Sequence, residues 1–290
     1  MKFKSLFGIA ALAALTISTG CNKSYLDVNV NPNSSPTATP AFVLTNAMNT
    51  TARNMVSPNE LGSYWSGQWT QSSSYILSTA TFSYIINNTN FNYWDGMYDN
   101  LQDYQYVIDN ADGLSQKYFK GPAKVMKVYN YQALVDMYGD LPYSDALKGV
   151  GSLAPKFDDQ KAVYAALITS LDDAIADLKA NPFSSAYAGA DIIFAGNVTK
   201  WIRFANSLKL RILMHQSRVA SQAAYITTEI NKIVTEGSGF ITGEEVGAGG
   251  PSLFLATAGK LNPIYDTWGY DANGAVRALA RFPRPTKFLF

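Results

Sequence analysis

One segment of the sequence, residues 57–90, places aromatic and polar side chains together in a pattern suited to ligand binding. Tyrosine and tryptophan offer flat apolar faces with a polar edge, and glutamine adds an amide that can donate and accept hydrogen bonds. The segment shows no 3.6-residue apolar period, so we interpret it as a long ordered loop, a common place for binding residues. The candidate ligand contacts are Tyr64, Trp65, Trp69, Gln71 and Tyr75. The alternative, that these rings pack into the core or against a partner protein, stays open.

Catalytic chemistry has few candidates in this chain. His215 is the sole histidine, and no serine lies in a Gly-x-Ser-x-Gly sequence, so a serine triad is not indicated. We interpret His215 as a residue near a helix C-terminus, where the helix dipole favours a cation. Two carboxylates acting as a glycosidase pair remain an alternative, because only their distance in three dimensions would identify them. The candidates are Asp95, Asp99, Asp103 and Asp136, although acids on an exposed helix face are the commoner explanation.

The sole cysteine, Cys21, follows a sequence typical of a secretory signal. Residues 1–4 are basic, residues 6–17 are apolar, and residues 18–20 are small. The apolar run is too short to span a bilayer, which takes about 18 residues or more. The order resembles the bacterial lipobox, in which the cysteine receives lipid and the signal is cut before it. We therefore predict a signal peptide over residues 1–20 and lipidation at Cys21. The alternative is an ordinary secreted protein with a free thiol.

Metal and cofactor chemistry is not indicated. With Cys21 lipidated, no thiol remains for a disulfide or a zinc cluster. The polar alternation over residues 27–33 superficially resembles a calcium loop. However, Pro32 replaces the required glycine and Ala38 replaces the bidentate glutamate. We expect no metal and no cofactor.

Composition argues against a nucleic-acid partner and indicates a leader followed by one domain. Without residues 1–20 the chain carries 21 basic and 22 acidic residues, which gives no basis for a nucleic-acid surface. Residues 21–40 are rich in Asn, Ser, Thr and Pro, and we interpret them as an extended leader. Residues 41–290 are long enough to bury a large core as one helical domain.

Apolar stripes with helical period recur along residues 41–290 and predict a mostly α fold. Helix starts near residues 122, 159 and 197 are evenly spaced, which favours stacked helix pairs of the tetratricopeptide type, joined by long loops. Pro122 is predicted to open one helix and Gly139 to end it. Asp158 or Asp159 caps the next helix, and Asn197 caps the one after. The Gly-rich residues 237–263 are expected to form a loop.

Four motifs in a fixed order carry a family resemblance. Residues 134–143 read LVDMYGDLPY, and residues 191–197 read DIIFAGN and continue into KWIRFANSLKLR at 200–211. The leader contributes LDVNVNPN at 26–33, and NPIY lies at 262–265. Together these resemble the SusD/RagB family of outer-membrane nutrient-binding lipoproteins, in particular its SusD-like branch. Family members are usually much longer, so we expect that a C-terminal portion is missing.

The resemblance implies a binding protein, not an enzyme, on the outer membrane of a Bacteroidetes-type bacterium. Such a protein is lipid-anchored, exposed at the cell surface, and caps a TonB-dependent, SusC-like transporter. It hands over a nutrient oligomer, usually a glycan and sometimes a peptide. The alternatives are a surface glycosidase or peptidase, and a structural lipoprotein without a small ligand.

Two further groups of polar residues are interpreted structurally. Tyr138, Asp140 and Tyr143 lie at a helix-ending corner, where Pro142 prevents the helix from resuming, and ligand contact is the less favoured alternative for them. The cations at 200–211 are expected on a solvated face or paired with a loop, with a phosphate site as the less favoured alternative. They are Lys200, Arg203, Lys209 and Arg211.

Overall fold

The described part of the chain is mostly helical, as predicted. The computed structural model describes residues 38–73, 79–85, 87, 93–243 and 254–287. The helices are α1 (Pro40–Asn54), α2 (Val56–Trp65), α3 (Thr79–Phe82), α4 (Trp94–Asn110), α5 (Lys120–Tyr138), α6 (Gln160–Ala180), α7 (Val198–His215), α8 (Ala223–Glu236) and α9 (Pro263–Trp268), and the strands are β1 (Trp69–Gln71) and β2 (Pro283–Pro285).

Residues 39–290 group into one compact unit. The signal peptide, Cys21 and the leader up to residue 37 lie outside the described residues. The predictions made for them, and the domain boundaries, therefore stay predictions.

Each long helix packs against its neighbours in sequence. α4 packs against α1 and α5, α6 packs against α5 and α7, and α8 packs against α7. The stack closes over one continuous core, to which α4 contributes Leu101, α5 Leu134, α6 Leu167 and α7 Trp201, all fully buried. The apolar stripes seen in the sequence are the faces that these helices turn toward each other.

The predicted helix caps are confirmed. The Asp159 carboxylate accepts hydrogen bonds from the backbone N–H groups of Lys161 and Ala162, at 3.0 and 3.2 Å. The Asn197 side chain accepts one from the N–H of Lys200 at 3.0 Å. Both satisfy donors that the first helical turn leaves unpaired.

The ends of α5 agree only in part with expectation. Gly139 ends the helix with a φ of +75°, which a residue without Cβ adopts readily. The helix begins at Lys120, two residues before Pro122, so the prediction that Pro122 opens it is wrong. A proline is tolerated there because the first-turn N–H groups have no intrahelical partner.

The interpretation of residues 57–90 as a loop without helical period is also wrong in part. Helix α3 and strand β1 lie within this segment, and so does α2 apart from its first residue, Val56. Leu61, Tyr64 and Trp65 have the i, i+3, i+4 spacing of one helix face, over too few residues to stand out as a stripe.

A buried ion cluster joins three helices where a solvated face or a loop partner was expected. Lys209 on α7 is 1% exposed. Its Nζ lies 2.6 Å from an Asp172 carboxylate oxygen on α6 and 2.9 Å from one of Glu229 on α8. The expectation for Lys209 is therefore wrong, because its aliphatic stem is buried between helices and its charge is paired there. Arg203 does pair with a loop, since its Nε donates to the Ser238 carbonyl at 3.0 Å.

The turn before α7 is built around the carboxylate of Asp191, which is 0% exposed. One oxygen accepts from the N–H groups of Ile193 and Phe194, both at 3.0 Å. The other accepts from the Gly196 N–H at 2.8 Å and from the Trp201 indole N–H at 2.6 Å. A buried charge is tolerated only when it is hydrogen-bonded in this way.

Glycine is also favoured at position 196 by the backbone conformation and by the close approach of Phe183. Its φ is +77°, and a Cβ there would lie 3.0 Å from Cβ of Phe183. In the motif at 191–197, Asp191 accepts hydrogen bonds from the backbone N–H groups of the turn. Gly196 adopts the positive φ of the turn, and Asn197 caps α7.

Replacing Asp191 should destabilise the protein strongly. Asp191→Ala leaves four donors without their acceptor in a buried turn, so we expect the free energy of unfolding to fall by about 3 kcal/mol or more. Urea denaturation followed by circular dichroism measures it. Asp99→Asn, at an exposed position on α4, is the control and should stay within about 0.5 kcal/mol. Similar losses in both variants would contradict the assigned role.

Glu236, at the end of α8, should stabilise the folded state at neutral pH and lose this stabilising effect in acid. Burial alone would raise the pKa of its carboxyl, but hydrogen bonds from Lys179, Ser238 and Asn206 outweigh it and lower the pKa to about 2. The folded-state pKa is below the ordinary value of 4.5, so the contribution is present above pH 4.5 and is lost as the pH falls toward 2. In Glu236→Gln, stability should depend less on pH in this window. Asp173→Asn, at an exposed position, should keep the wild-type slope.

Candidate ligand-binding surface

Two segments far apart in the sequence meet in a short β-ribbon. β1 pairs antiparallel with β2, with Trp69 opposite Pro285 and Gln71 opposite Pro283. Beyond the strands, the Ser72 N–H donates to the Phe282 carbonyl at 2.8 Å. The ribbon thereby holds residues 69–72 against residues 282–285.

Aromatic rings near this ribbon form two sets of contacts, which we together call the aromatic surface. Phe82, Tyr64, Trp69 and Trp268 are joined by successive ring contacts, and Trp65 pairs with Tyr84. Trp69 meets the edge of Trp268 at a centroid distance of 5.4 Å and that of Tyr64 at 5.8 Å. Tyr64 also contacts Phe82 at 5.3 Å. Trp65 stacks on Tyr84 at 5.7 Å with 29° between the ring planes. Edge-to-face and stacked pairs of this kind fix the rings relative to one another.

The rings differ in what they can offer to a ligand. Tyr84 is 66% exposed, and Trp65 and Trp69 are half-buried. The Trp65 indole N–H donates to the Thr81 carbonyl at 2.8 Å, which orients its ring. Tyr64 is 6% exposed and lies behind the others. The surface therefore presents oriented ring faces on a packed support.

Polar groups accompany the rings. Trp69 and Gln71 are two residues apart on β1, so their side chains lie on the same face of the strand. Burial raises the pKa of the Glu60 carboxyl. Burial, followed by the nearby Glu60 charge, raises the pKa of the Tyr64 hydroxyl. At neutral pH Tyr64 is a neutral, packed ring.

Of the five predicted contacts, Tyr64 and Trp69 are in ring contact, and Gln71 follows Trp69 by two residues on β1. Trp65 pairs instead with Tyr84. Tyr75 lies outside the described residues. Sequence reasoning missed Trp268 and left Phe82 and Tyr84 out of the contact set. Trp268 could not have been found from local pattern, because only the pairing of β1 with β2 indicates that the two ends approach.

The residues at the corner after α5 make structural contacts. An Asp140 carboxylate oxygen accepts from the N–H of Gln160, the first residue of α6, at 2.8 Å. The Tyr138 hydroxyl accepts from the Tyr93 N–H at 3.1 Å. These bonds support the structural interpretation of the corner.

Four acids were considered as candidates for a glycosidase pair. One of them, Asp136 on α5, contacts side chains of two other helices. It accepts a hydrogen bond from the Tyr164 hydroxyl of α6, and its other oxygen lies 3.1 Å from Nδ1 of His215 at the end of α7. Asp95, Asp99 and Asp103 follow one another at four-residue spacing on α4. The sequence predicted the position of His215 at a helix C-terminus, and this is confirmed.

Within the described residues, no group of three His, Cys, Asp or Glu side chains could hold a metal ion. In the same part of the chain, no helix is both long and apolar enough to cross a bilayer.

Comparison with solved structures identifies the fold. A SusD/RagB family protein from Bacteroides thetaiotaomicron aligns at a TM-score of 0.59 and 23% identity, over 79% of this chain and 48% of the other. A SusD homolog from Bacteroides uniformis gives 0.61 and 23%, over 78% and 48%. A chitin-binding SusD homolog from Flavobacterium johnsoniae gives 0.62 and 21%, over 77% and 48%. The chain thus spans about half the length of these proteins.

A comparison with curated proteins finds no match. A family model described as "Starch-binding associating with outer membrane" matches residues 32–267, which is most of the chain. The motifs, the helical stack and this match agree, and the chain belongs to the SusD-like family of starch-binding, outer-membrane-associated proteins.

Proposed function

We propose that this protein is a cell-surface lipoprotein that binds a nutrient oligomer, in the first place a glycan, and delivers it to a TonB-dependent, SusC-like transporter. The observation that carries the proposal is the aromatic surface, in a chain of SusD-like membership. Oriented ring faces with a few polar groups are what an oligosaccharide requires, since each sugar ring has an apolar face and a rim of hydroxyls.

Within this surface we assign Trp65, Trp69 and Gln71 to direct ligand contact. Tyr84 extends the contact area because its ring is the most exposed of the six. Tyr64 acts from behind, by holding Trp69 and Phe82 in place. Tyr75 remains a proposed contact from the sequence alone.

We propose that the protein binds its ligand without turnover. Asp136 is already engaged by Tyr164 and His215, and its role there is to join α5, α6 and α7. The lipid at Cys21 would hold the protein at the outer membrane, where two or more acyl chains give stable anchoring.

Substitutions in the aromatic surface test the binding proposal. Trp65→Ala, Trp69→Ala and Tyr84→Ala each remove ring area from the proposed site. We expect each to weaken binding of maltohexaose or of chitohexaose, whichever the wild type binds, by about ten-fold or more. Isothermal titration calorimetry measures the change.

Tyr64→Phe is the matched control. Its hydroxyl is buried and has no hydrogen-bond partner among the described residues, so removing it should change neither affinity nor stability. Unchanged affinity in Trp65→Ala, Trp69→Ala and Tyr84→Ala, with the fold intact by circular dichroism, would remove the aromatic surface from the site. Release of shorter oligosaccharides by the purified protein would instead indicate a glycosidase.

Membrane fractionation and affinity capture test the anchor and the partner. The lipidated chain, captured from native outer membranes, should bring a TonB-dependent barrel in near-equal amount by mass spectrometry. Cys21→Ala should move the protein to the soluble fraction, because the thiol is the lipid acceptor. A membrane-anchored protein that captures no barrel would contradict delivery to a transporter.

A further inference from the structure

An apolar cavity lies between α1, α5, α7 and the turn that precedes α7. Its volume is about 360 Å³, within the range of small-ligand sites. Among the residues that the structure describes, none lines both this cavity and the aromatic surface. We call it the Met-lined cavity, and its principal side chains are Met48, Asn49, Met55, Met126, Ile193 and Phe204.

One wall of the cavity is the turn built around Asp191. The Asp191 carboxylate accepts from the N–H groups of Ile193 and Phe194, both at 3.0 Å, and the side chains of these two residues line the cavity. Ile241, also in the lining, is held by its N–H, which donates to the Ser207 hydroxyl at 3.0 Å. The wall is therefore held from outside the cavity, as in a preformed site.

A second wall contains the ring of Tyr129 on α5. This ring packs against Phe204 of α7 at a centroid distance of 6.1 Å, and the Arg211 guanidinium lies 5.0 Å from its centroid. Arg211 is itself fixed, because its Nε donates to Oε1 of Gln132 at 2.9 Å. The Tyr129 ring is thereby oriented by neighbours on α7.

The lining excludes charged ligands. Among the described residues that line the cavity, none is charged. The Thr51 hydroxyl is already used, since it accepts from the amides of Asn100 and Asn130 at 2.8 and 2.9 Å and bonds the Tyr104 hydroxyl at 2.8 Å. An ion that entered would lose its hydration without gaining a counter-charge. The cavity therefore favours a neutral, mostly apolar molecule.

The side chains of the lining favour aromatic rings. Met48, Met55 and Met126 lie in the lining together with Phe194 and Phe204. The methionine thioether adapts its shape to a ligand and makes favourable contacts with aromatic rings. A cavity of about 150 Å³ is known to hold one benzene ring, so this volume accommodates about two rings.

Asn49 adds a polar group that a ligand can reach. It lines the cavity from α1 and is half-buried, so its amide is not sealed from solvent. The side chain of Asn49 takes no part in the hydrogen bonds that join α1 to other described elements, which are made by Thr45, Asn46, Thr51, Arg53 and Asn54. An amide can both donate to and accept from a hydroxyl.

From this lining we infer that the Met-lined cavity binds a neutral, hydroxylated aromatic molecule of about two rings. The rings lie among Met48, Met55 and Met126, and the hydroxyl bonds the Asn49 amide. This binding site is additional to the proposed glycan site and does not depend on it.

Three probes of the same ring size test the inference on the full chain: β-naphthol, naphthalene and β-naphthoate. Equilibrium dialysis with a fluorescence readout measures each affinity at neutral pH, where only β-naphthoate is charged. One β-naphthol should bind per chain. Naphthalene should bind about five-fold more weakly because it lacks the hydroxyl, and β-naphthoate at least about ten-fold more weakly because its charge is unpaired in the cavity.

Two variants locate the site. Ala52 lines the cavity, so Ala52→Phe fills it and should weaken binding of both β-naphthol and naphthalene about ten-fold or more. Ala165→Phe, at an exposed position on α6, is the matched control and should change neither affinity. Asn49→Leu should bring the affinity for β-naphthol down to that for naphthalene without weakening naphthalene binding. A merely structural asparagine would affect both probes equally.

Three results would overturn the inference. The first is a wild-type chain that binds neither β-naphthol nor naphthalene. The second is unchanged binding in Ala52→Phe with the fold intact by circular dichroism; if that variant does not fold, an unchanged preference for β-naphthol in Asn49→Leu decides against the site. The third is loss of β-naphthol binding in Trp65→Ala or Trp69→Ala, which would place the probe on the aromatic surface. Loss of glycan binding alone in those two variants leaves the Met-lined cavity standing.

Discussion

The buried carboxylate of Asp191 organises the junction between the 185–190 segment, the start of α7 and the core. It collects donors from its own turn and from the Trp201 indole, so the start of α7 and the centre of the core are positioned by one side chain. The 185–190 segment ends at this residue, and the Thr45 bond to Ala190 ties that segment to α1. A local acceptor thus fixes the arrangement of elements that come from distant parts of the chain. This explains why an acid, a left-handed glycine and a capping asparagine occur within seven residues.

The features that could be predicted from the sequence are those governed by neighbours in the chain. Asp159 and Asn197 cap helices because a side chain there reaches N–H groups two or three residues on, and the apolar stripes follow from helical period. Lys209 illustrates the limit, since its burial is decided by Asp172 and Glu229 on two other helices. Trp268 was equally hidden from sequence reasoning, because only the pairing of β1 with β2 indicates that its part of the chain approaches Trp69.

The molecule uses its charges and its aromatic rings for different purposes. Lys209 is paired with acids inside the helical stack, and Glu236 joins α8 to Lys179 and Asn206. The aromatic surface instead presents ring faces beside the Gln71 amide. Ion pairs placed between helices stabilise one arrangement of the stack without attracting charged solutes from solution. The ring faces and the Gln71 amide of the aromatic surface would suit a neutral ligand, as proposed above, and the matching family model is described as starch-binding.

The pairing of β1 with β2 has a consequence for the order in which parts of the chain fold. Trp69 and Pro285 come together only when the whole chain between them has been ordered, and closing so long a loop carries an entropic cost that stacking of the helices must first offset. We therefore expect the contact between Trp69 and Trp268 to form late, after α4 to α7 have assembled. A partly folded chain would then have a helical core before its aromatic surface is complete, so ligand binding at that surface would report on completed folding.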